Sequence, residues 1–489
     1  MNFRITTNMV KNSYQYNLQK STRKMSDARD MVMTQRTFSS YAEDPAAASL
    51  SFRLRRSWYQ TSNYLANTKD VYSKFNTAWH NLAGVVEDLS DATGRVASIR
   101  GVTDTAGESR SALAVVLRET AESVVQAMNQ KLGDHFIFAG NDALKAPFSW
   151  SDDKKTLYYR GVNVNAGAVK KPAERSVPSW VELDDNGELD VNKVDPNKVP
   201  TSSNDDYEQA WIDYYNDQVN NGVNGVPKPS DRPLWAQDLE KGSYVLDDFG
   251  TPDVEAIKAA NGGTLSAADE AWLAYYQDQS DVKKLQAMSG EEMYIDLGMG
   301  ATESSPNNPV RGTYFNSALC GLDFLGCGVD ADGDPKNLAL IMKELAGVFE
   351  TWGENGQMYL PEEYRDMSYE KIQAILKSED PDDMARAAEI TAYNEEYRAK
   401  AERLMDKLKA AQEHTTEKWV ELDAHSVYLQ TAESRLTTQA TDLNIQFLDV
   451  EQMDMADAIT NFSYQMTCYN AALKIGTQLL SQSLIDYMN

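Results

Sequence analysis

The sequence predicts a mainly α fold with an α+β insertion. A long antiparallel helical bundle or coiled coil is built from both termini, and a β-rich domain lies at the centre. Three observations carry this. Apolar residues on both flanks recur at spacings of three, four and seven, the a/d pattern of packed helices. Of fifteen prolines, twelve fall between Pro147 and Pro335 and none follows Pro381, so helix breakers are confined to the middle. The two ends also carry opposite charge. The first thirty-six residues hold seven bases against Asp27 and Asp30, and the last fifty hold six acids against Lys474. Complementary stripes attract and set register, which places the start and finish of the chain side by side.

The N-terminal stripe is Val10, Tyr14, Leu18, Met25, Ala28 and Val32. Polar residues interrupt it, so the helix is marginal in water unless it has a partner. Asp44-Pro45 then reads as an N-cap with a first-turn proline, opening a helix from Ala46 to about Arg100. Trp58, Leu65, Tyr72, Trp79 and Val86 recur there every seven residues, with Phe75, Leu82, Leu89 and Val96 at the alternate position. Gly101 and Gly107 bracket a break, after which Leu113, Leu117, Val124 and Met128 mark another helix. Asp134–Gly140 and Thr156–Gly161 read as strands.

Residues 150–335 hold thirty-three acids and fifteen bases, the main source of the −27 formal charge. This stretch contains a repeat: Ala210–Gln218 (AWIDYYNDQ) matches Ala271–Gln279 (AWLAYYQDQ), a duplicated helical segment. The returning flank carries Leu404, Leu408, Ala411, Leu422, His425, Leu429, Ala432, Leu436 and Leu443. The tail continues with Leu448, Met455, Ile459, Phe462, Met466, Tyr469, Leu473 and Leu480. The expected organisation is a terminal coiled-coil domain from 1–44 with 446–489, a helical bundle from 45–146 with 336–445, and an outer domain over 147–335. A helical insertion lies around 200–290 of that outer domain.

Several function classes are disfavoured. A strongly acidic chain is a poor nucleic-acid binder, because neutralising phosphates needs clustered Lys and Arg. Three cysteines, Cys320, Cys327 and Cys468, make neither a disulfide framework nor a zinc site. No apolar run approaches the roughly twenty residues of a membrane span, and the first residues lack the apolar core of a secretory signal. His80 and His135 are isolated, while His414 and His425 lie too far apart on one helix to share a metal. His425 falls on the seam as a core histidine. Asp330, Asp332 and Asp334 have the spacing that begins a calcium loop, but its twelfth position is Ile341, so an Asp/Gly turn is expected. With no phosphate loop or nucleophile elbow, the sequence predicts no catalysis, no cofactor and no metal.

Four stretches resemble the flagellin-like flagellar axial proteins, within them the hook–filament junction proteins (flagellar hook-associated protein 3). They are Asp44-Pro45-Ala46-Ala47; Phe136–Gly140 followed by Ala146–Ser149; Gly321–Gly326 with Pro335–Asn337; and Leu448–Asn489. The resemblance covers roughly 1–150 and 310–489, with none over 195–300. It implies a non-catalytic structural subunit joining hook to filament in a ring or short helical layer. It also implies export through the flagellar type III channel without a cleaved signal peptide, and an extracellular final position. The implied partners are further copies of the chain, the first hook-associated protein, flagellin, and an export chaperone covering Leu448–Leu484; nucleic acid and membrane are not among them. Terminal segments disordered in the free subunit would order on assembly. The expected interface is Val10, Tyr14, Leu18, Met25, Leu448, Met455, Ile459, Phe462, Met466, Tyr469, Leu473 and Leu480. The alternatives are a flagellin, distinguished by copy number, and a secreted coiled-coil protein whose 195–300 insertion is an adhesin or enzyme.

Overall fold

A computed structural model describes residues 7–38, 42, 44–100, 107–172, 177–183, 189–203, 206–221, 232–237, 239, 242–298, 300, 303–305, 308–309, 314–352 and 358–488. It is 67 % helical, while its strands run to two or three residues, so the class is mainly α with a small β component. In chain order the elements are α1 (Thr7–Thr34), α2 (Pro45–Arg100), α3 (Gly107–Met128), β1 (Lys131–Leu132), β2 (His135–Phe136), β3 (Phe148–Trp150), β4 (Leu157–Tyr159) and β5 (Val162–Asn163). Then come α4 (Asp206–Asn221), α5 (Leu234–Gln237), α6 (Val254–Ala260) and α7 (Ala267–Ser289). After short strands between Tyr294 and Asn316, the chain forms α8 (Gly321–Leu325), α9 (Leu338–Glu350), α10 (Tyr369–Lys377), α11 (Pro381–Glu451) and α12 (Met455–Met488). The chain divides into two compact units: Met1–Ser73 with Tyr294–Phe315 and His425–Asn489, and Lys74–Met293 with Asn316–Ala424.

In the first unit, Asp44 caps α2 as its sequence suggests. Its Oδ1 accepts from the amides of Ala46 (3.1 Å) and Ala47 (3.0 Å), two of the donors a helix start leaves unpaired. Ala48, Thr61, Thr68 and Val71 of α2 are buried, as are Leu429, Ala432 and Leu436 of α11. Trp58, Leu65 and Tyr72 are only half-buried. In this stretch the buried line keeps the spacing of three and seven but runs through small residues, Thr61, Thr68 and Val71, and the large seven-residue repeat lies on its flank. His425 is exposed rather than a core residue, with the edge of its ring against Phe315 (centroids 5.7 Å apart).

In the second unit the expected alternate positions Phe75, Leu82, Leu89 and Val96 are buried, with Ala78, Val85 and Ala92 between them, and Trp79 lies half-buried on Trp419 of α11, stacked at 5.6 Å. The Trp419 indole N–H donates to the Trp79 carbonyl at 3.2 Å, satisfying a polar group that would otherwise be costly to cover. Helix α3 packs against α9. Residues 101–106, where a glycine break is expected, lie outside the described residues.

The expected Asp134–Gly140 strand is reduced to β2, a two-residue partner of β1. Ile137, Phe138 and Ala139 are buried without forming a ladder. They serve a different end. The Phe138 carbonyl accepts from the Tyr159 hydroxyl (3.0 Å) and the Gly321 amide (2.9 Å), and Gly140 donates to Leu319 (3.0 Å). Asn129 closes on Phe148 through reciprocal bonds of 2.9 and 3.0 Å. A Cβ at Gly321 would fall 2.5 Å from the Phe148 ring, so only glycine fits there. Downstream, the Asn337 amide donates to Gly326 O at 2.8 Å while its Oδ1 caps α9. Two of the sequence stretches singled out above, that of 136–140 with 146–149 and that of 321–326 with 335–337, thus form one knot, which Leu319 joins from just outside the second. The Thr156–Gly161 strand is present as β4, the centre of the three-stranded β3–β4–β5 sheet.

Candidate assembly surface

Helices α1 and α12 pack on each other within the first unit, antiparallel, since Tyr14 meets Ala472 and Arg36 pairs with Gln452. On α1 the inner face is Tyr14, Leu18, Met25 and Val32, half-buried, with Ala28 fully buried; Val10 is exposed. On α12 it is Ala458, Phe462, Cys468, Tyr469, Ala472 and Gly476. The Tyr14 hydroxyl donates to the Ala472 carbonyl at 3.1 Å, and a Cβ at Gly476 would collide with that hydroxyl. Gly476 is the last glycine of the chain, in a flank otherwise free of them after Gly356. That isolation was the one sequence signal that could have pointed to a close helix crossing here.

The tail stripe divides. Phe462 and Tyr469 face α1, whereas Met455 (39 % exposed), Ile459 (49 %), Met466 (43 %) and Leu473 (39 %) form a row open to solvent. The Leu480 side chain lies outside the described residues. Leu448 does not belong to the same helix, because α11 ends at Glu451 and α12 begins at Met455. Asp454 restarts the helix by capping the Ala456 amide at 2.7 Å.

Helix α1 stops at the same level, where Gln35 takes a left-handed φ of 55°. The two breaks are stitched together: Thr37 N–H donates to Glu451 O (2.9 Å), and Met453 N–H donates to Gln35 O (3.1 Å). The Glu451 carboxylate is 12 % exposed and is the centre of this junction. Arg55 reaches both of its oxygens (2.6 and 2.9 Å), Ser51 donates at 3.1 Å, and Arg36 lies at 3.8 Å. The Arg55 guanidinium also lies 4.7 Å from the centre of the Phe447 ring. A cavity of about 390 Å³ adjoins, lined by Trp58, Tyr59, Asn444, Phe447 and Leu448 among others. Sequence reading missed Glu451 and Arg55, since a charged pair off the apolar stripe carries no periodic signal.

Of the opposite end charges, Arg36 and Glu451 form a contact ion pair at 3.8 Å, at the junction just described. Among the described residues, Arg29 pairs with its neighbour Asp30, and Lys11, Lys20, Arg23 and Lys24 reach no acid of the tail. Register is fixed by the apolar faces and by the Glu451 junction.

The Asp330-Asp332-Asp334 loop belongs to the second unit. The three carboxylates lie within 4.8 Å of one another, and the Lys407 ammonium of α11 sits among them at 2.5, 3.1 and 2.5 Å. Arg403 adds a bond of 2.6 Å to Asp334, whose side chain is 4 % exposed. Burial opposes ionisation of Asp330 and Asp334, but bonds from Lys407, and from Arg403 in the case of Asp334, outweigh it and hold both below the ordinary carboxylate range. Burial also works against the Lys407 charge, but its bonds to Asp330, Asp334 and Asp332 outweigh it and raise that group. The cation position of the loop is thus occupied by a side chain of the protein. Elsewhere in this unit, burial lifts the Cys320 thiol to about 11, as expected of an inert cysteine.

Among the described residues, no helix is long and apolar enough to cross a membrane. No family model matches the chain, and no curated protein matches it. Among solved structures, the chain is similar to one from Vibrio parahaemolyticus provisionally described as a flagellar hook-associated protein. The likeness has 11 % identity and a TM-score of 0.38, over 84 % of this chain and all (100 %) of that one.

Proposed function

We propose that this chain is a structural subunit of the bacterial flagellum that joins hook to filament, assembling through its terminal helices after type III export. One observation carries the reading. Helix α12 uses one face to hold α1 and leaves a second apolar row, Met455, Ile459, Met466 and Leu473, on the surface. A helix that holds its partner by one face and carries a second apolar row is suited to a second contact, and contiguous exposed apolar surface marks interaction sites. The four sequence stretches resembling the junction proteins add the identity of the assembly. In this reading the neighbours are further copies of the chain, the first hook-associated protein and flagellin. An export chaperone shields the tail beforehand, and the acidic insertion faces outward as a solvated layer.

The test replaces Ile459 and Met466 together by Asp and asks whether the chain still supports filament growth on hooks. The expected outcome is a subunit with unchanged circular dichroism and melting that no longer builds a junction, because the substituted side chains lie on the exposed row. Normal filaments from a chain carrying both charges would exclude the row as the assembly surface.

A further inference from the structure

The sequence match between Ala210–Gln218 and Ala271–Gln279 covers one helical segment. In the structure the likeness extends well beyond it. Pro178-Ser179-Trp180 makes a tight turn and Pro233-Leu234-Trp235 opens the short α5 with the same first bond, Val181 N–H to Pro178 O and Ala236 N–H to Pro233 O, each 2.9 Å. An antiparallel bridge follows in each case, Leu183 with Leu189 and Val245 with Pro252. An aspartate then starts a helical turn. Asp190 accepts from Asn192 (3.2 Å) and Asp253 from Glu255 (3.1 Å), and four residues further on Val194 and Ile257 are buried. Last comes the helix, α4 or α7, with the repeated tryptophan.

The side chains correspond as well. The turn tryptophan donates its indole N–H to the acid three residues before the helix tryptophan: Trp180 to Glu208 at 3.3 Å, Trp235 to Asp269 at 2.7 Å. Each also sets its ring edge-on to the second tyrosine of the helix, Tyr215 at 6.0 Å and Tyr276 at 6.1 Å. Each set closes its own apolar cluster, one around Trp180 and Trp211, the other around Trp235 and Trp272.

We infer that residues 177–221 and 232–289 are two copies of one folding module, each with its own core. The retained features are the Pro-x-Trp turn, the bridge, the aspartate-started turn, the acid–indole bond and the Trp-x-x-Tyr-Tyr face. A self-contained core opens and closes as a separate cooperative unit. Both copies are acidic, so duplication lengthens the negatively charged insertion while leaving the helical flanks unchanged; the module is a spacer repeated.

Hydrogen exchange on the full chain tests this independently of any flagellar role. Trp180→Phe and Trp235→Phe each remove one indole donor while keeping an apolar ring. Each variant should speed exchange about tenfold or more within its own copy and leave the other copy and the helical flanks at wild-type protection. Glu208→Gln and Asp269→Asn, which keep the side-chain shape and weaken the same bonds, should give smaller effects in the same two places. The inference is overturned if either tryptophan variant loosens both copies together, as a single fused core would. It is equally overturned if one of the two bonds is dispensable in its own copy, or if both milder variants leave exchange unchanged.

Discussion

Two side chains set the local energetics most sharply. At Gly476 the α1–α12 crossing is so close that an added methyl must displace Tyr14. Overpacking of this kind costs about 1–3 kcal/mol. Gly476→Ala should therefore loosen α1 selectively, seen as faster exchange at Tyr14–Met25 with unit two unaffected, and Tyr14→Phe in the same chain should restore part of the loss because the colliding hydroxyl is gone. At Lys407 the effect is electrostatic. Lys407→Met leaves Asp330, Asp332 and Asp334 with Arg403 as the cation described beside them and should cost about 2–3 kcal/mol at neutral pH, measured as a lower urea midpoint. The sign with pH follows from the depressed folded values of Asp330 and Asp334. Their contribution is fully present above the unfolded carboxylate value of about 4 and is lost as pH falls through the folded values. The gap between wild type and Lys407→Met should accordingly narrow at pH 3. A constant gap from pH 7 to pH 3 would mean that Lys407 acts by packing alone.

At the scale of elements, helix existence was legible in the sequence and helix faces were less so. The start of α2 followed from Asp44-Pro45 because capping is local chemistry. Asp44→Ala should destabilise the first unit by about 1 kcal/mol, and Asp44→Ser should restore most of it. The α3 stripe of Leu113, Leu117, Val124 and Met128 is buried as its spacing requires. Of the two seven-residue series in α2, Phe75, Leu82, Leu89 and Val96 is buried as its spacing requires, whereas Trp58, Leu65, Tyr72 and Trp79 is half-buried, with Thr68, Val71 and Ala78 taking the buried positions beside it. Hydrophobicity alone ranks tryptophan above alanine, but at the Trp79 level the buried position is taken by Ala78 and the indole lies half-buried against Trp419. Residues 134–140 read as a strand for a similar reason. Their apolar run is buried, yet from Phe138 to Gly140 its backbone bonds go to Gly321, Leu319 and Tyr159, partners outside any local hairpin. The Glu451 junction was illegible because it depends on α1 and α11 ending at the same level, a tertiary coincidence. The Asp330 loop was legible as a turn, but its lysine comes from α11, more than seventy residues away.

At the scale of the whole chain, the two units differ in what they need from the tail. The second unit contains α3 against α9, the knot of 136–149 with 319–337, the Lys407 cluster and the Trp79–Trp419 stack, all within Lys74–Met293 and Asn316–Ala424. None of these uses a residue after Ala424. In the first unit, α1 packs on α12, and an interrupted apolar stripe cannot hold an isolated helix in water. Removing residues 446–489 should therefore leave the unfolding midpoint of the second unit unchanged within about 0.5 kcal/mol. The same truncation should release α1 to exchange at near-unfolded rates, because its inner face then has no partner and Glu451 is gone. If α1 stays protected in the truncated chain, its order does not come from α12, and the pairing of the two ends cannot be what organises the assembly surface. If instead the second unit melts along with α1, the chain folds as one cooperative block, and substitutions such as Ile459→Asp with Met466→Asp must be judged on global stability before any assembly defect is assigned to them.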